Sequence, residues 1–292
     1  MTGALKPETI VRAFHDACLA ELDALKPGNV HRHGDGHRSA TGHRMTVADF
    51  MASADAAAPA IGRAGLSVGA RIRLAVEATA EAVGQNTNLG IVLLAAPLAS
   101  AALDPGKDDL RKRLARVLSH LTVEDAREAY RGIRAVNPGG LGEVPAHDVA
   151  VEPNVTLLEA MRAAETRDRI AWNYTHGFVD IFELGLSWLR QSEERWGNGS
   201  WAVTSVYLGF LAHIPDTLIE RKFGARVAAR VAEEARPIES GLIECDAPET
   251  MAAPLLAFDL SLKERGLNPG TSADLTVATL FAKAIQDAEK AA

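Results

Sequence analysis

Three short polar turns, widely separated along the chain, each lead into an apolar helical run. They occupy residues 26–29, 86–90 and 268–274. The first residues of a helix carry unpaired backbone N–H groups and partial positive charge, so a helix start is a natural seat for an anion. One such turn is an ordinary helix cap. Three of them in a mostly helical sequence predict helix starts that converge on one ligand.

The first two turns contain side chains suited to a phosphate or a nucleotide. Pro27 ends the first helix, Gly28 permits close approach of the backbone, and Lys26 supplies a positive charge. A Pro-Gly helix stop with a solvated lysine explains the same residues without a ligand. In the second turn, Asn86 and Asn88 flank a threonine, which is more than one helix cap requires.

The segment between the first turn and residue 46 is rich in histidine and glycine. Its histidines are His31, His33, His37 and His43. Histidine clusters ligate metals or transfer protons near neutral pH, but these spacings match no zinc motif. A loop that contacts phosphate is therefore favoured over a structural metal site. His31 and His43 lie nearest the flanking elements and are the better candidates for function.

Four carboxylates stand where a metal ion or a proton could use them. Asp180 and Glu183 lie three residues apart in an apolar, aromatic segment, and so share one face of a predicted helix. Asp216 follows Pro215 and precedes a basic pair, where an N-cap explains it equally well. Asp274 lies in the first turn of the last predicted helix, where it could favour the helix dipole, bind a metal or hold a ribose hydroxyl.

Helical periodicity dominates the elements that must position these residues. The pattern predicts helices over residues 10–25, 47–61, 68–83, 89–102, 122–133, 157–164, 169–189, 201–213, 225–235, 251–265 and 272–289, the last capped by Ser272. No alternating segment bounded by hairpin turns is evident. We therefore predict a single all-α domain over residues 1–292, a multi-helix bundle with its active site at the converging helix starts. The irregular segments 28–46 and 137–154 are predicted to be loops that are either functional or mobile.

Composition narrows the class of partner. The 292-residue chain has a formal net charge of −7, which argues against general nucleic-acid binding but permits a local basic pocket for a small anion. Cys18 and Cys245 have no partner at metal-ligand spacing and are predicted to be reduced. With no signal-peptide core and no apolar run long enough for a bilayer, a cytoplasmic protein without a membrane partner is predicted. Ala-rich amphipathic helices make a homodimer plausible.

Together these segments resemble the triphosphoribosyl-dephospho-CoA synthase family. The similar stretches are residues 21–28, 42–45 with Phe50 and Ser53, 86–91 with 96–99, 216–217 with Arg221, and 268–275, which cover nearly the whole chain. Three stretches depart from the family pattern, one of them the loop of residues 137–149, which looks peculiar to a divergent branch. In the family, Lys-Pro-Gly is usually followed by Leu-Val-Asp, whereas residues 29–31 of this chain are Asn-Val-His. The family usually has Arg-Gly-Gly after the Asp-Thr motif, whereas residues 221–224 of this chain are Arg-Lys-Phe-Gly. A branch with these departures looks similar to proteins linked to the synthesis of one-carbon carriers of the methanopterin or methanofuran type.

The resemblance implies an all-α, Mg²⁺-dependent transferase that uses ATP as a substrate. In that family the 2′-hydroxyl of 3′-dephospho-CoA attacks the ribose C1′ of ATP, and adenine leaves. The implied partners are a nucleoside triphosphate and a small phosphorylated acceptor, either dephospho-CoA-like or a one-carbon carrier precursor. A nucleotide or cofactor hydrolase, and a non-catalytic binder of a phosphorylated coenzyme, are the alternative functions.

Residue type then suggests roles for each polar segment. The expected nucleotide- and phosphate-binding residues are Lys26, Gly28, Asn29, Arg44, Asn86, Thr87, Asn88, Arg221, Lys222, Gly270 and Ser272. The expected metal ligands are Asp216, Asp274, Asp180 and Glu183. The expected catalytic groups are Asp216, His31 and His43.

Overall fold

A computed structural model describes residues 5–34, 37–38, 44–136 and 151–292 of the chain. The α-helices in these residues are α1 (Pro7–Asp23), α2 (Val47–Gly62), α3 (Val68–Val83), α4 (Leu89–Leu103), α5 (Leu110–Ser119), α6 (Val123–Val136), α7 (Leu157–Ala164), α8 (Arg169–Thr175), α9 (Leu186–Trp196), α10 (Ser200–His213), α11 (Thr217–Phe223), α12 (Ala225–Glu244), α13 (Ala252–Glu264) and α14 (Gly270–Ala291). A π-helical turn, Asp180–Gly185, precedes α9, and a 3₁₀ turn, Pro248–Met251, precedes α13. The predicted all-α class is confirmed.

Helices α4, α10 and α14 form the centre of the molecule. Most side chains of α4 and α10 are buried apolar groups, in keeping with their largely apolar sequences, and α14 packs against α1, α4 and α10. Phe14 of α1 meets Phe281 of α14 edge to face, with ring centroids 5.8 Å apart. Burial of such apolar surface is the main source of stability. Helices α4 and α14 consequently begin inside the protein, next to buried Asn88 and buried Thr271.

The single helix predicted over residues 169–189 is wrong. Helix α8 ends at Thr175, and Gly177 and Phe178 then adopt left-handed backbone conformations with φ of 61° and 58°. The π-helical turn and α9 follow. A left-handed pair ends a helix and redirects the chain. Gly177 is a sequence signal of this break, which the apolar residues that resume at Phe178 obscured.

Smaller differences concern helix ends and local pairing. Helix α5 has no counterpart among the predicted helices, and α12 continues well beyond residue 235. Ser272 does not cap the last helix, because α14 already begins at Gly270. The structure also contains a short antiparallel hairpin that the sequence did not suggest. Its strands are β1 (His37–Arg38) and β2 (Arg44–Met45), with two residues each. Of the predicted loop 137–154, residues 137–150 lie outside the described residues.

Among the described helices, none taken singly combines the length and the apolar character that a bilayer span requires. One bent pair, α10 with α11, meets both criteria together, with an angle of 46° between its halves.

Candidate active site

The first and third polar turns are in direct contact. The Asn29 amide donates a hydrogen bond to the Asn268 side-chain oxygen over 2.8 Å, and both residues are buried. Gly28 has a φ of 80°, and a Cβ atom there would lie 2.9 Å from both Leu267 O and the Pro269 ring. Only glycine tolerates this backbone conformation and this approach together. The structure thus brings residues 26–29 and 268–274 into one place.

Asp216 joins the start of α11 to the start of α14. Its Oδ1 accepts hydrogen bonds from the backbone N–H groups of Leu218 and Ile219, at 3.0 and 3.1 Å. Its Oδ2 accepts from the backbone N–H and the hydroxyl of Ser272, at 2.8 and 2.9 Å. Burial raises the pKa of Asp216, and these hydrogen bonds oppose that shift. Both carboxylate oxygens are therefore already used within the protein.

Two threonines connect the start of α8 to the starts of α11 and α14. The Arg169 backbone N–H donates to Thr217 Oγ1 over 3.2 Å, and that oxygen lies 3.0 Å from Thr271 Oγ1. Gly270 faces α11, because a Cβ atom on it would lie 2.6 Å from the Leu218 side chain. The starts of α8, α11 and α14 consequently share one hydrogen-bonded cluster.

The second polar turn places the start of α4 against Asp274. A Cβ atom on Gly90 would overlap Asp274 Oδ2 and would lie 2.7 Å from Ile170 Cδ1. The carboxyl group of α14 therefore sits directly on the backbone of α4, beside the first turn of α8. With this contact, four helix starts meet around Asp274.

The polar side chains of the second turn are engaged within the protein. Asn86 Oδ1 accepts from a backbone N–H at the start of α4 over 3.2 Å. Thr87 Oγ1 lies 2.6 Å from Ser53 Oγ, and Asn88 donates to Thr79 Oγ1 over 3.1 Å. These contacts shape the start of α4, while the expected contacts of Asn86, Thr87 and Asn88 with a nucleotide stay predictions.

Lys26 is fully buried, which excludes the solvated lysine that its sequence context allowed. Its ammonium group donates to the Glu21 carboxylate and, over 3.2 Å, to Asn29 Oδ1. Burial lowers the pKa of Lys26 and raises that of Glu21, and the attraction between the two charges opposes both shifts. Lys26 is also near enough to Asp274 for the two charges to attract each other.

Asp274 differs from the other carboxylates of this cluster because it makes no hydrogen bond or ion pair within the described part of the chain. The residue is partly exposed. Burial raises the pKa of Asp274 well above its ordinary value, and the nearby carboxylates of Asp216, Glu21 and Asp168 raise it further, whereas Arg221 opposes the shift. A strongly shifted pKa in a site of convergent polar groups is typical of a functional group.

Two basic residues near the end of α11 complete the cluster. Arg221 pairs with Asp168, the N-cap of α8, whose Oδ1 also accepts from the backbone N–H groups of Ile170 and Ala171. Lys222 is exposed, and desolvation of its ammonium group together with the charge of Arg221 lowers its pKa, which the attraction of Asp216 opposes. Both cations therefore stand beside the carboxylates of the helix starts.

The geometry does not support the predicted metal ligands Asp180 and Glu183. Asp180 is buried and accepts two hydrogen bonds of 2.7 Å from Arg169 and one of 2.8 Å from Asn173. Glu183 is exposed and pairs with Arg111 over 2.6 Å. Across the described residues, no three His, Cys, Asp or Glu side chains come together in a way that could hold a metal ion.

His31 lies next to the first polar turn, because its neighbour Asp259 also accepts a hydrogen bond of 2.8 Å from the Gly28 backbone N–H, and its expected catalytic role stays a prediction. Its ring is fully buried, with Nε2 3.3 Å from Asp259 Oδ1 and Nδ1 accepting from the His33 backbone N–H over 3.2 Å. Burial lowers the pKa of His31, which the hydrogen bond with Asp259 opposes. The other predicted histidine, His43, lies outside the described residues, as does the side chain of Arg44.

Sequence reasoning assigned no role to several members of the cluster, although all except Asp168 lie within the stretches that carry the family resemblance. These members are Glu21, Asp168, Thr217, Asn268 and Thr271. One signal was available, since Asp168 precedes a helical run just as Asp216 does, and both positions suit an N-cap. Nothing in the sequence pairs Glu21 with Lys26 in particular.

The fold and the cluster together define an all-α protein in which charged side chains gather at converging helix starts. The chain belongs to the CitG family, the ATP:dephospho-CoA triphosphoribosyl transferases, whose family model matches residues 7–292. The resemblance seen in the sequence is therefore confirmed, and the protein is a transferase. The reaction of the family is triphosphoribosyl transfer from ATP to dephospho-CoA.

A solved structure supports the same conclusion. The chain is similar to the crystal structure of a proposed triphosphoribosyl-dephospho-CoA synthase from Archaeoglobus fulgidus, with a TM-score of 0.64 and 25% sequence identity. The match covers 81% of this chain and 98% of that one. No curated protein matches the sequence significantly.

Proposed function

We propose that this transferase binds ATP at the four helix starts and transfers its triphosphoribosyl group with the reacting ribose beside Asp274. The observation that carries this proposal is the meeting of α4, α8, α11 and α14 around a carboxyl group that has no partner among the described residues. Arg221, Lys222 and the partial positive charge of the helix starts favour a triphosphate there.

The helix starts act mainly through their partial charge. Backbone N–H groups at the starts of α8, α11 and α14 already donate to Asp168, Asp216 or each other's side chains. They are consequently not open donors for a phosphate oxygen. The direct contacts with phosphate are assigned to Arg221 and Lys222, whose side chains extend from the end of α11.

Asp274 is assigned the proton transfer. The oxygen of the acceptor hydroxyl forms a bond to the ribose C1′ of ATP, and the bond between C1′ and adenine N9 breaks, its electron pair leaving with adenine. The hydroxyl proton passes to Asp274 Oδ and is then released to solvent, while the departing adenine takes up one proton from solvent at N9, so the reaction as a whole neither gains nor loses a proton. A raised pKa makes the Asp274 carboxylate a stronger base at neutral pH than an ordinary aspartate.

Asp216 is assigned a positioning role. With both oxygens bonded to backbone and hydroxyl donors of α11 and α14, it holds two helix starts in register and cannot easily accept a further proton or ligand. The sequence suggested a catalytic role and a metal-binding role for Asp216. We therefore assign the catalytic role to Asp274 and the metal binding to the substrate itself.

Magnesium is proposed to arrive with ATP. Mg²⁺ is commonly held by substrate phosphates with one or two carboxylates, and Asp274 is the described carboxylate of the cluster with free oxygens. The residues thus fit a metal carried by the triphosphate better than a metal held by the protein alone. When bound, Mg²⁺ neutralises charge on the phosphate oxygens.

Dephospho-CoA is the first acceptor to test, and a one-carbon carrier precursor is the second because of the departures at residues 29–31 and 221–224. Adenine released from ATP is measured by chromatography with each acceptor and without any. We expect release only with an acceptor, and a loss of about 10²-fold or more in kcat for Asp274→Asn with an unchanged circular-dichroism spectrum.

The other outcomes of that assay separate the alternative functions. Adenine or phosphate released at the same rate without acceptor indicates a hydrolase. Tight ATP binding without turnover of any acceptor indicates a non-catalytic binder. Wild-type kcat in Asp274→Asn removes Asp274 from the mechanism. A cytoplasmic location and a homodimer stay predictions, the latter open to light scattering of the purified protein.

A further inference from the structure

The chain between α8 and α9 holds an unfavourable backbone conformation in the protein core. Phe178 has a φ of 58°, which is costly for a residue with a Cβ atom, and it follows Gly177 in the same left-handed region. Its ring is fully buried and lies 5.6 Å from the ring of Tyr174. Packing therefore maintains the strain. Conformations of this kind, and π-helical turns such as the one that follows, are frequent near functional sites.

The sharp reversal brings Asp180 back onto the start of α8. Its two carboxylate oxygens receive two parallel hydrogen bonds of 2.7 Å from the Arg169 guanidinium. One face of that guanidinium lies 3.6 Å from the centre of the Trp172 ring. A two-bond pair stacked on an aromatic ring fixes both the position and the plane of the arginine side chain. A continuous helix over this segment could not fold Asp180 back in this way.

The start of α8 in turn contacts the candidate active site on two sides. The backbone N–H of Arg169 donates to Thr217 Oγ1, within the cluster of helix starts. The preceding residue, Asp168, caps α8 and pairs with Arg221. A continuous series of contacts therefore runs from Asp180 through Arg169 and Asp168 to Arg221.

We propose that Asp180 and Arg169 are positioning residues, which hold the start of α8 so that Asp168 directs Arg221 toward the triphosphate of ATP. This inference rests on the proposed function in one respect, the contact of Arg221 with the nucleotide. The inference also gives the strained turn a role, because the turn brings the buried Asp180 carboxylate back to the start of α8, which borders the site.

The test is a double-mutant cycle of Asp180→Asn and Arg221→Gln, read in the KM for ATP and in kcat. A coupled pair shows a non-additive effect, whereas independent sites add. We expect each single variant to raise KM about tenfold with little change in kcat, and the double variant to raise it no further. The matched control is Glu289→Gln, which breaks a partly buried pair with Arg113 outside the cluster and should leave KM unchanged.

Two results would overturn the inference. One is a wild-type KM in Asp180→Asn, and the other is a double variant whose effect on KM is the product of the two single effects, as independent sites would give. If Asp180→Asn does not fold, Arg169→Lys replaces it, because lysine keeps the charge but cannot form the two-bond pair. The same cycle read as ATP binding by calorimetry needs no turnover, so a failure of the transferase proposal remains distinguishable from a failure of this one.

Discussion

At the scale of single residues, two aspartates of the same cluster differ because their surroundings differ. Asp216 receives hydrogen bonds on both oxygens, which stabilise its ionised form against the cost of burial. Asp274 receives none in the described part of the chain and is surrounded by other carboxylates, so its ionised form is disfavoured. The first is suited to hold helices together, and the second is suited to exchange a proton.

Arg221→Gln should shift the acid limb of the pH profile of kcat/KM to higher pH. Asp274 must be ionised to accept a proton, so activity rises as pH passes upward through its pKa. Asp216, Glu21 and Asp168 raise that pKa, while Arg221 lowers it. Removal of the Arg221 charge therefore raises it further. Rates measured across a pH series check the shift.

The control for that profile is Arg230→Gln, which removes an exposed arginine paired with Glu234 and should leave the acid limb in place. An acid limb that moves to lower pH in Arg221→Gln, or does not move, would show that Asp274 is not the titrating group.

At the scale of helices, the site depends on how closely α4 and α14 approach each other. Gly90 makes that approach possible, since a methyl group on it would overlap the Asp274 carboxylate. Gly90→Ala should therefore displace Asp274 and lower kcat/KM about 10²-fold, because small displacements of a reacting group have large effects on rate. Steady-state kinetics and a thermal unfolding curve measure both effects.

Gly199→Ala is the matched control, because a Cβ atom there meets nothing within 4 Å and the residue has extended backbone. It should keep full activity. Full activity in Gly90→Ala instead would mean that the position of Asp274 against α4 does not matter to the reaction.

Sequence correctly predicted that the turns at residues 86–90 and 268–274 lead into helices, α4 and α14, but the helix expected after residues 26–29 is wrong, because the next helix in the described residues begins only at Val47. The turns at residues 26–29, 86–90 and 268–274 carry glycine, proline and capping residues whose local conformations are dictated by their own chemistry. Their meeting follows from amphipathic helices that share one core. The residues of the turns were therefore identifiable, although their contacts were not.

The sequence could not predict which polar side chains form their hydrogen bonds within the protein rather than with a ligand. Lys26 and Asp216 both have the chemistry of ligand contacts, yet the structure commits them to Glu21 and to Ser272. The break after α8 was also hidden, since Phe178 continues the apolar pattern while adopting a left-handed conformation that tertiary packing imposes. Partners distant in sequence decide such cases.

At the scale of the whole molecule, a second place where a small molecule could bind is a groove of about 370 Å³ between α1 and α2, lined by Val11, His15 and Pro59 among others. Its surface is mostly apolar, and no group of described helix starts borders it in the way that four helix starts border Asp274. The single-domain organisation predicted over residues 1–292 stays a prediction.

The most direct measurement is a crystal structure of the protein with ATP and Mg²⁺ in the absence of acceptor. We predict that the triphosphate contacts Arg221 and Lys222, with the ribose C1′ next to the Asp274 carboxylate and Mg²⁺ on the phosphate oxygens. A nucleotide bound in the groove between α1 and α2, or with its ribose away from Asp274, would contradict the account.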